Sequence, residues 1–305
     1  MRFTTLIPLL SLTPAVYSWG ELGHRTVAYL ASKHFTRDAS ELVNTLLAND
    51  QGWDISDGAI WADAIRHRNG YTHTGEWHYI DALDDPPNYC NVTYTRDCKS
   101  GPGCIVDAIA NFTSRINNPH LDLVQQKEAL MFIIHFIGDI HQPLHTEHLS
   151  RGGNGIKVCF DAHCGERENL HGVWDRAIPH KRRALSAAES DKVILKAAAA
   201  AWAEELYLRE EKRAAQCDDV ETAQMCALEW ASEANAWVCG FVLEKGQAWL
   251  EGNDLGGEYF EGAGPIVDEL VGKAGLRLGN WLNALAAERA AAETMLVQDG
   301  ERSEV

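Results

Sequence analysis

Residues 129–145 read ALMFIIHFIGDIHQPLH, and no other stretch restricts the fold so strongly. Leu130, Phe132, Ile133, Ile134, Phe136, Ile137 and Ile140 leave a helix almost no polar side, so it belongs at the centre of a protein. It nevertheless carries His135 and Asp139, four residues apart and on one face. His141 follows, the helix stops at Gln142-Pro143, and His145 comes directly after. Burying an imidazole and a carboxylate together is costly unless each is compensated. A metal ion meets that demand, and so does a plain buried His–Asp hydrogen bond. The segment alone does not choose between them.

Residues 1–18 read as a secretory signal peptide. Arg2 gives a positive start, LIPLLSLTPAVY an apolar centre, and Val16-Tyr17-Ser18 a cleavage site, so the mature chain would begin at Trp19. The apolar run is too short and interrupted to span a bilayer, and no later stretch is long and apolar enough. The remaining length, without a Pro/Ser/Gly linker or a fixed-period repeat, predicts a single domain. The 8 cysteines behind a signal peptide predict disulfides. Sequons at Asn91 and Asn111 predict glycosylation. A net charge of −17 excludes attraction of a long polyanion over the whole surface. Bound divalent cations would offset part of that charge locally.

Helical spacing of apolar residues predicts helices over 20–35, 38–48, 60–66, 105–117 and 123–141. Further helices are predicted over 186–210, 221–247 and 264–290, and one that restarts at 169–175. Residues 76–81, Glu-Trp-His-Tyr-Ile-Asp, alternate and are aromatic-rich, which predicts an extended segment with His78 and Ile80 on one side and Tyr79 and Asp81 on the other. Residues 84–104 read as a stapled loop, IKVCFDAHCGE as a small hairpin, and Glu210-Glu211-Lys212-Arg213 as a solvated helix face. Residues 291–305 have no apolar face, which predicts a frayed tail. The fold class is therefore mainly α, with one or two small β-hairpins.

Trp19, His24, Asp63, His78, His135, Asp139, His145, His171 and Asp175 stand out as a set. Apart from Trp19 the side chains are imidazoles and carboxylates, a donor set that suits zinc, and the lack of thiolates points to catalytic rather than structural sites. Two H-x-x-x-D pairs on helices, with His78 and His145, point to a multi-metal centre. Close zinc ions commonly serve phosphate-ester hydrolysis. Asp63 and Arg66 are three apart and share a helix face.

In these motifs the chain resembles the zinc-dependent single-strand-specific nucleases of fungi and plants, the P-one and S-one type. The motifs are Trp19-Gly20 with Leu22-Gly23-His24, Trp61-Ala62-Asp63 with Arg66, Trp77-His78-Tyr79-Ile80-Asp81, His135 to Asp139 with Gln142-Pro143-Leu144-His145, and Asn169-Leu170-His171 with Trp174-Asp175. The resemblance runs to about residue 288 and implies the single-domain helical fold shared with phospholipase C over 19–290. It implies three zinc ions. One would be held by Asp63, His78, His135 and Asp139, a second by His145, His171 and Asp175. The third would be held by the amine and carbonyl of Trp19, with His24 and a bridging Asp139, so that processing after Ser18 creates a ligand. It further implies Arg66 as the transition-state arginine, Tyr79 for base stacking and Asp81 for the base edge. Some relatives carry a lysine three residues after that aspartate, where this chain has Asp84. The implied disulfides are Cys90–Cys239 and Cys98–Cys104, together with the local pairs Cys159–Cys164 and Cys217–Cys226.

The resemblance thus implies a secreted, monomeric endonuclease acting on single-stranded DNA and RNA. It would leave 5′-phosphates and remove 3′-phosphates from nucleotides, with Asp63, Arg66 and Asp139 as catalytic residues. A zinc phospholipase C is the rival enzyme, and a secreted effector that keeps only the scaffold is the rival without catalysis. His34, His67, His73, His120, His148, His163 and His180 are read as ordinary histidines, and His141, which points elsewhere on the helix, as either structural or a support behind the ligands. Trp202, Trp230, Trp237 and Trp249 are read as core.

Overall fold

The structure is a computed structural model that describes residues 19–47, 52–99, 101, 103–209, 217 and 219–303. The signal peptide expected over 1–18 and the charged face expected at 210–213 lie outside the described residues. The N-terminal half runs α1 (Gly20–Lys33), α2 (Arg37–Leu47), α3 (Ile55–Gly58), α4 (Trp61–Ile65), a 3-10 turn (Thr72–His78), α5 (Tyr94–Asp97), α6 (Ile105–Ile116) and α7 (Leu123–Asp139). After a 3-10 turn at Pro143–Thr146 come strands β1 (Lys157–Phe160) and β2 (His163–Asn169), then α8 (Leu170–Gly172), a π turn (Val173–Ala177) and α9 (Ile178–Arg182). The C-terminal helices are α10 (Lys192–Arg209), α11 (Ala223–Trp237), α12 (Gln247–Gly252) and α13 (Glu258–Ser303). The mainly α class holds, and the hairpin is where the sequence places it, pairing Cys159 with Cys164 and Phe160 with His163.

Helix α7 is the centre. Residues 129–147 are buried without a break, and α1, α2, α3, α4, α6 and α13 all pack on the helix. Each large apolar side chain so buried stabilises the fold by about 1.5–3 kcal/mol. Asp122 caps its start by accepting from Gln125 N at 2.8 Å. It ends at Asp139, two residues earlier than predicted, and Gln142 then caps the 3-10 turn that carries His145. An aromatic cluster fixes the neighbours of α7. Trp61 of α4 meets Phe132 edge-on at 5.1 Å, Trp77 meets Phe112 at 5.5 Å, and Phe112 stacks on Phe132 at 4.4 Å.

Two expectations are corrected. Residues 76–78 finish a 3-10 turn instead of a strand, and extended backbone starts at Tyr79 (φ −152°, ψ 169°). Alternating aromatic and polar residues satisfy both geometries here, because Trp77 packs against α6 and α7 from a turn. His78 and Ile80 are nonetheless buried, with Tyr79 and Asp81 only partly so. At the other end α13 continues as a helix to Ser303 instead of fraying after 290. Its buried apolar residues end at Ala286, and the Ala-rich run beyond favours helix on propensity alone.

All eight cysteines pair, as Cys90–Cys239, Cys98–Cys104, Cys159–Cys164 and Cys217–Cys226. The first spans 149 residues and ties the loop after Asp81 to the C-terminal helices. No helix among the described residues is long and apolar enough to cross a membrane.

Candidate metal centre

The first cluster forms around Asp139. Its Oδ1 lies 3.1 Å from His24 Nε2 of α1, and its Oδ2 lies 2.9 Å from His78 Nδ1 and 3.2 Å from His135 Nε2. Asp63 Oδ1 is 3.7 Å from His135 Nε2 and 3.8 Å from His78 Nδ1. The His24 and His135 rings stack with centroids 3.9 Å apart. Gly138 makes that approach possible, because a Cβ there would lie 2.8 Å from His24 Nδ1. Five side chains from α1, α4, the 3-10 turn and α7 thus meet at one buried point.

The second cluster is His145, His171 and Asp175, with His171 Nε2 3.2 Å from Asp175 Oδ2. Asn169 starts the helix that carries His171 by accepting from Gly172 N at 2.8 Å. The chain then widens into the π turn that holds Asp175, a feature that often marks functional sites. Gln142 Nε2 donates to Asp175 Oδ1 at 2.6 Å, while its Oε1 accepts from Leu144 N at 2.5 Å. One amide therefore joins the turn carrying His145 to the carboxylate of the same cluster.

The donor set fits bound metal. His135 Nδ1–H donates to the Ala59 carbonyl (2.6 Å), His145 Nδ1–H to His78 (2.7 Å) and His171 Nδ1–H to Gly152 (2.6 Å). Each bond puts the lone pair on Nε2 and turns it inward, as backbone carbonyls do behind metal-bound histidines. His145 Nε2, His171 Nε2, Asp175 Oδ2 and Asp63 Oδ1 are buried outside any hydrogen bond; His171 Nε2 and Asp175 Oδ2 only face each other, at 3.2 Å, and Asp63 Oδ1 faces Arg66 Nη2 at 3.3 Å. Buried polar atoms are rarely left unsatisfied, and four of them converging from two clusters point to a cation. Three groups of histidine and aspartate each bring ligand atoms within 4.8 Å of one another: His24 with His135 and Asp139, Asp63 with His78 and His135, and His145 with His171 and Asp175.

The electrostatics divide the histidines: against burial, the Asp139 and Asp63 charges raise His135 and the Asp175 charge raises His171. Burial pushes the His24 and His78 imidazoles down, to about 4 and about 3, and so keeps them neutral for a metal. Burial lifts Asp63 to about 6, with the Asp139 and Asp175 charges adding to it against His135 and Arg66. Burial also works on Asp139, but the surrounding His135, His24 and His78 rings outweigh it and hold that carboxyl well below its usual range. Trp19 is fully buried at the head of α1.

Both clusters open on a cavity of about 660 Å³. Arg66, His78, Tyr79, Asp81, His145 and His171 line it, as do Lys99, Glu147 and Asn154. Arg66 Nη2 is 3.3 Å from Asp63 Oδ1, and its buried Nε has no hydrogen-bond partner. The Tyr79 hydroxyl is raised by burial and by its bond to Glu76. Gly152, at φ +58°, lets its loop close under the cavity, since a Cβ there would lie 2.5 Å from the Leu144 carbonyl. Sequence reasoning did not single out Gln142, Gly152, Lys99 or Glu147. Only Gln142, beside the His–Asp pair, carried a signal. His141 is structural, as expected, with Nδ1–H donating to Ile137 O and Nε2 accepting from Arg277 at 2.8 Å, away from both clusters.

Comparison with known proteins agrees with this geometry. The family model described as S1/P1 Nuclease matches residues 19–287. The chain is 36% identical over 283 residues to Nuclease S1 of Aspergillus oryzae (strain ATCC 42149 / RIB 40), covering 92% of this chain and 96% of that protein. It is 39% identical over 282 residues to Nuclease P1 of Penicillium citrinum, covering 88% and 97%. Endonuclease 2 of Arabidopsis thaliana is 32% identical over 297 residues, covering 91% and 93%. These relatives lend the phospholipase C alternative no support. With a nuclease family model over nearly all of its described length and metal-capable clusters opening on one cavity, the chain belongs to the S1/P1 nuclease family.

Proposed function

We propose that this nuclease is a secreted, monomeric, zinc-dependent endonuclease for single-stranded DNA and RNA that leaves 5′-phosphates and also acts as a 3′-nucleotidase. The carrying observation is the convergence of the buried ligand atoms His145 Nε2, His171 Nε2, Asp175 Oδ2 and Asp63 Oδ1 beside a cavity walled by Tyr79 and Asp81. Three zinc ions would be held by Asp63, His78, His135 and Asp139; by His145, His171 and Asp175; and by Trp19, His24 and Asp139. Bound zinc supplies a nucleophilic water at neutral pH and charge neutralisation at phosphate.

The residues around it do the positioning. Arg66 presents its unpartnered Nε–H to a phosphate oxygen, and Asp63 steadies the guanidinium from 3.3 Å. Tyr79 offers a ring face to an unstacked base and Asp81 a carboxylate to its edge. Duplex hides both base features, so the cavity selects single strands. Glycans at Asn91 and Asn111 suit a secreted chain. The test is product analysis on matched single-stranded and duplex oligonucleotides. Rapid cleavage of the single strand alone, with 5′-phosphate ends, is expected; equal cleavage of both, or 3′-phosphate ends, overturns the reading.

A further inference from the structure

Three buried side-chain oxygens stand apart from the histidine clusters, where the loop after Asp81 meets the turn carrying His145 and helix α11. Glu147 is 3% exposed and Asn235 of α11 is 1% exposed. Glu147 Oε1 accepts from Leu149 N at 2.6 Å. Asp84 Oδ2 accepts from Asn91 N at 3.0 Å and from Asn235 Nδ2 at 3.2 Å. The Asn235 amide also donates to the Thr146 carbonyl, at 3.0 Å. These bonds fix all three side chains while using one end of each. The Cys90–Cys239 bridge, beside Asn91, holds the same two segments together covalently. Among the described residues nothing donates to the other ends, the buried atoms Glu147 Oε2, Asp84 Oδ1 and Asn235 Oδ1.

The Glu147 and Asp84 carboxyls face each other closely enough for the Asp84 charge to act on Glu147. Carboxylates so placed repel unless a proton or a cation lies between them. The neighbouring cations are committed elsewhere. Lys99 Nζ donates to Asp81 Oδ2 at 2.7 Å. Arg96, whose charge reaches Asp84, donates to Asp97 at 2.8 Å and to the Asn91 carbonyl at 2.6 Å. A shared proton would serve the two carboxyl oxygens and leave Asn235 Oδ1 bare, whereas one cation serves all three. The donors are oxygens alone, with no imidazole or thiolate, and such a set suits a hard cation instead of zinc. Two carboxylates with an amide carbonyl match calcium, which tolerates irregular geometry and completes its shell with water. Glu147 lines the cavity, so water has access. We propose that Glu147, Asp84 and Asn235 form a calcium site separate from the zinc centre. The ion joins three segments distant in sequence and steadies the turn that carries His145.

The test titrates calcium chloride into the zinc-loaded, disulfide-bonded mature protein by calorimetry, with zinc content measured before and after. One calcium per chain is expected, with a Kd on the order of 0.1–1 mM, the range of extracellular calcium modules. Glu147→Gln and Asp84→Asn each remove one negative charge and should weaken binding about tenfold or more, because ligand charge sets calcium affinity. Glu147→Gln places a donor opposite Asp84, and Asp84 is only half-buried, so both variants keep the fold. Calcium should also raise the thermal midpoint of the wild type and leave that of either variant in place. Three results overturn the proposal: no saturable binding (a shared proton then bridges the carboxyls), equal affinity in wild type and variants, or calcium that enters only as zinc leaves.

Discussion

Gln142 holds Asp175 Oδ1 and so leaves Oδ2 facing the site. Groups behind metal ligands commonly change metal affinity by about 10–100-fold when removed. Gln142→Ala should therefore weaken zinc binding by that factor while far-UV circular dichroism stays native; chelator competition measures it, and unchanged affinity would refute the role. The H-x-x-x-D spacing of His135–Asp139 and His171–Asp175 was legible in the sequence because four residues complete one helical turn. The carbonyls of Ala59, His78 and Gly152, which set the histidine tautomers, were not, because every residue has a carbonyl and only the fold selects which ones face a ring. Lys99 was hidden for a related reason: 18 residues separate it from Asp81, and a loop closure brings them together.

At the scale of elements, α1 and α3 are locked together behind the site. Arg25, fully buried, donates to Ser56 Oγ at 2.8 Å and Asp57 Oδ1 at 3.1 Å, and the Ala59 carbonyl that orients His135 follows α3. Burial alone would raise the Asp57 carboxyl, but Lys196, Lys192 and Arg25 hold it well below its ordinary range. A carboxyl depressed in the folded state adds stability above its unfolded pKa and loses it as pH falls through the folded one. Asp57→Asn should accordingly cost about 3 kcal/mol at pH 7, the scale of a broken buried pair, and much less near pH 2. Urea unfolding at both pH values checks this, and an equal cost at both contradicts it. The aromatic cluster makes a second demand: Phe132→Ala should destabilise by about 3–5 kcal/mol, read from the shift in urea midpoint. The apolar residues of 129–145 are enough to specify the central helix, because a helix with almost no polar side has nowhere else to go. Its end shifted by two residues, and 76–78 turned from strand to 3-10 turn, because tertiary packing of Trp77 decides what alternation leaves open.

Across the whole molecule, the clusters depend on segments far apart in sequence, from His24 to Asp175, held by one core around α7. The Cys90–Cys239 bridge closes the longest disulfide loop, so Cys90→Ser with Cys239→Ser should cost about 2–5 kcal/mol in thermal or urea unfolding. The proposed zinc centre joins the two clusters and Trp19. Elemental analysis of protein prepared with Trp19 as its first residue provides the decisive measurement. Three zinc ions per chain are predicted, and fewer than two per chain would contradict the account.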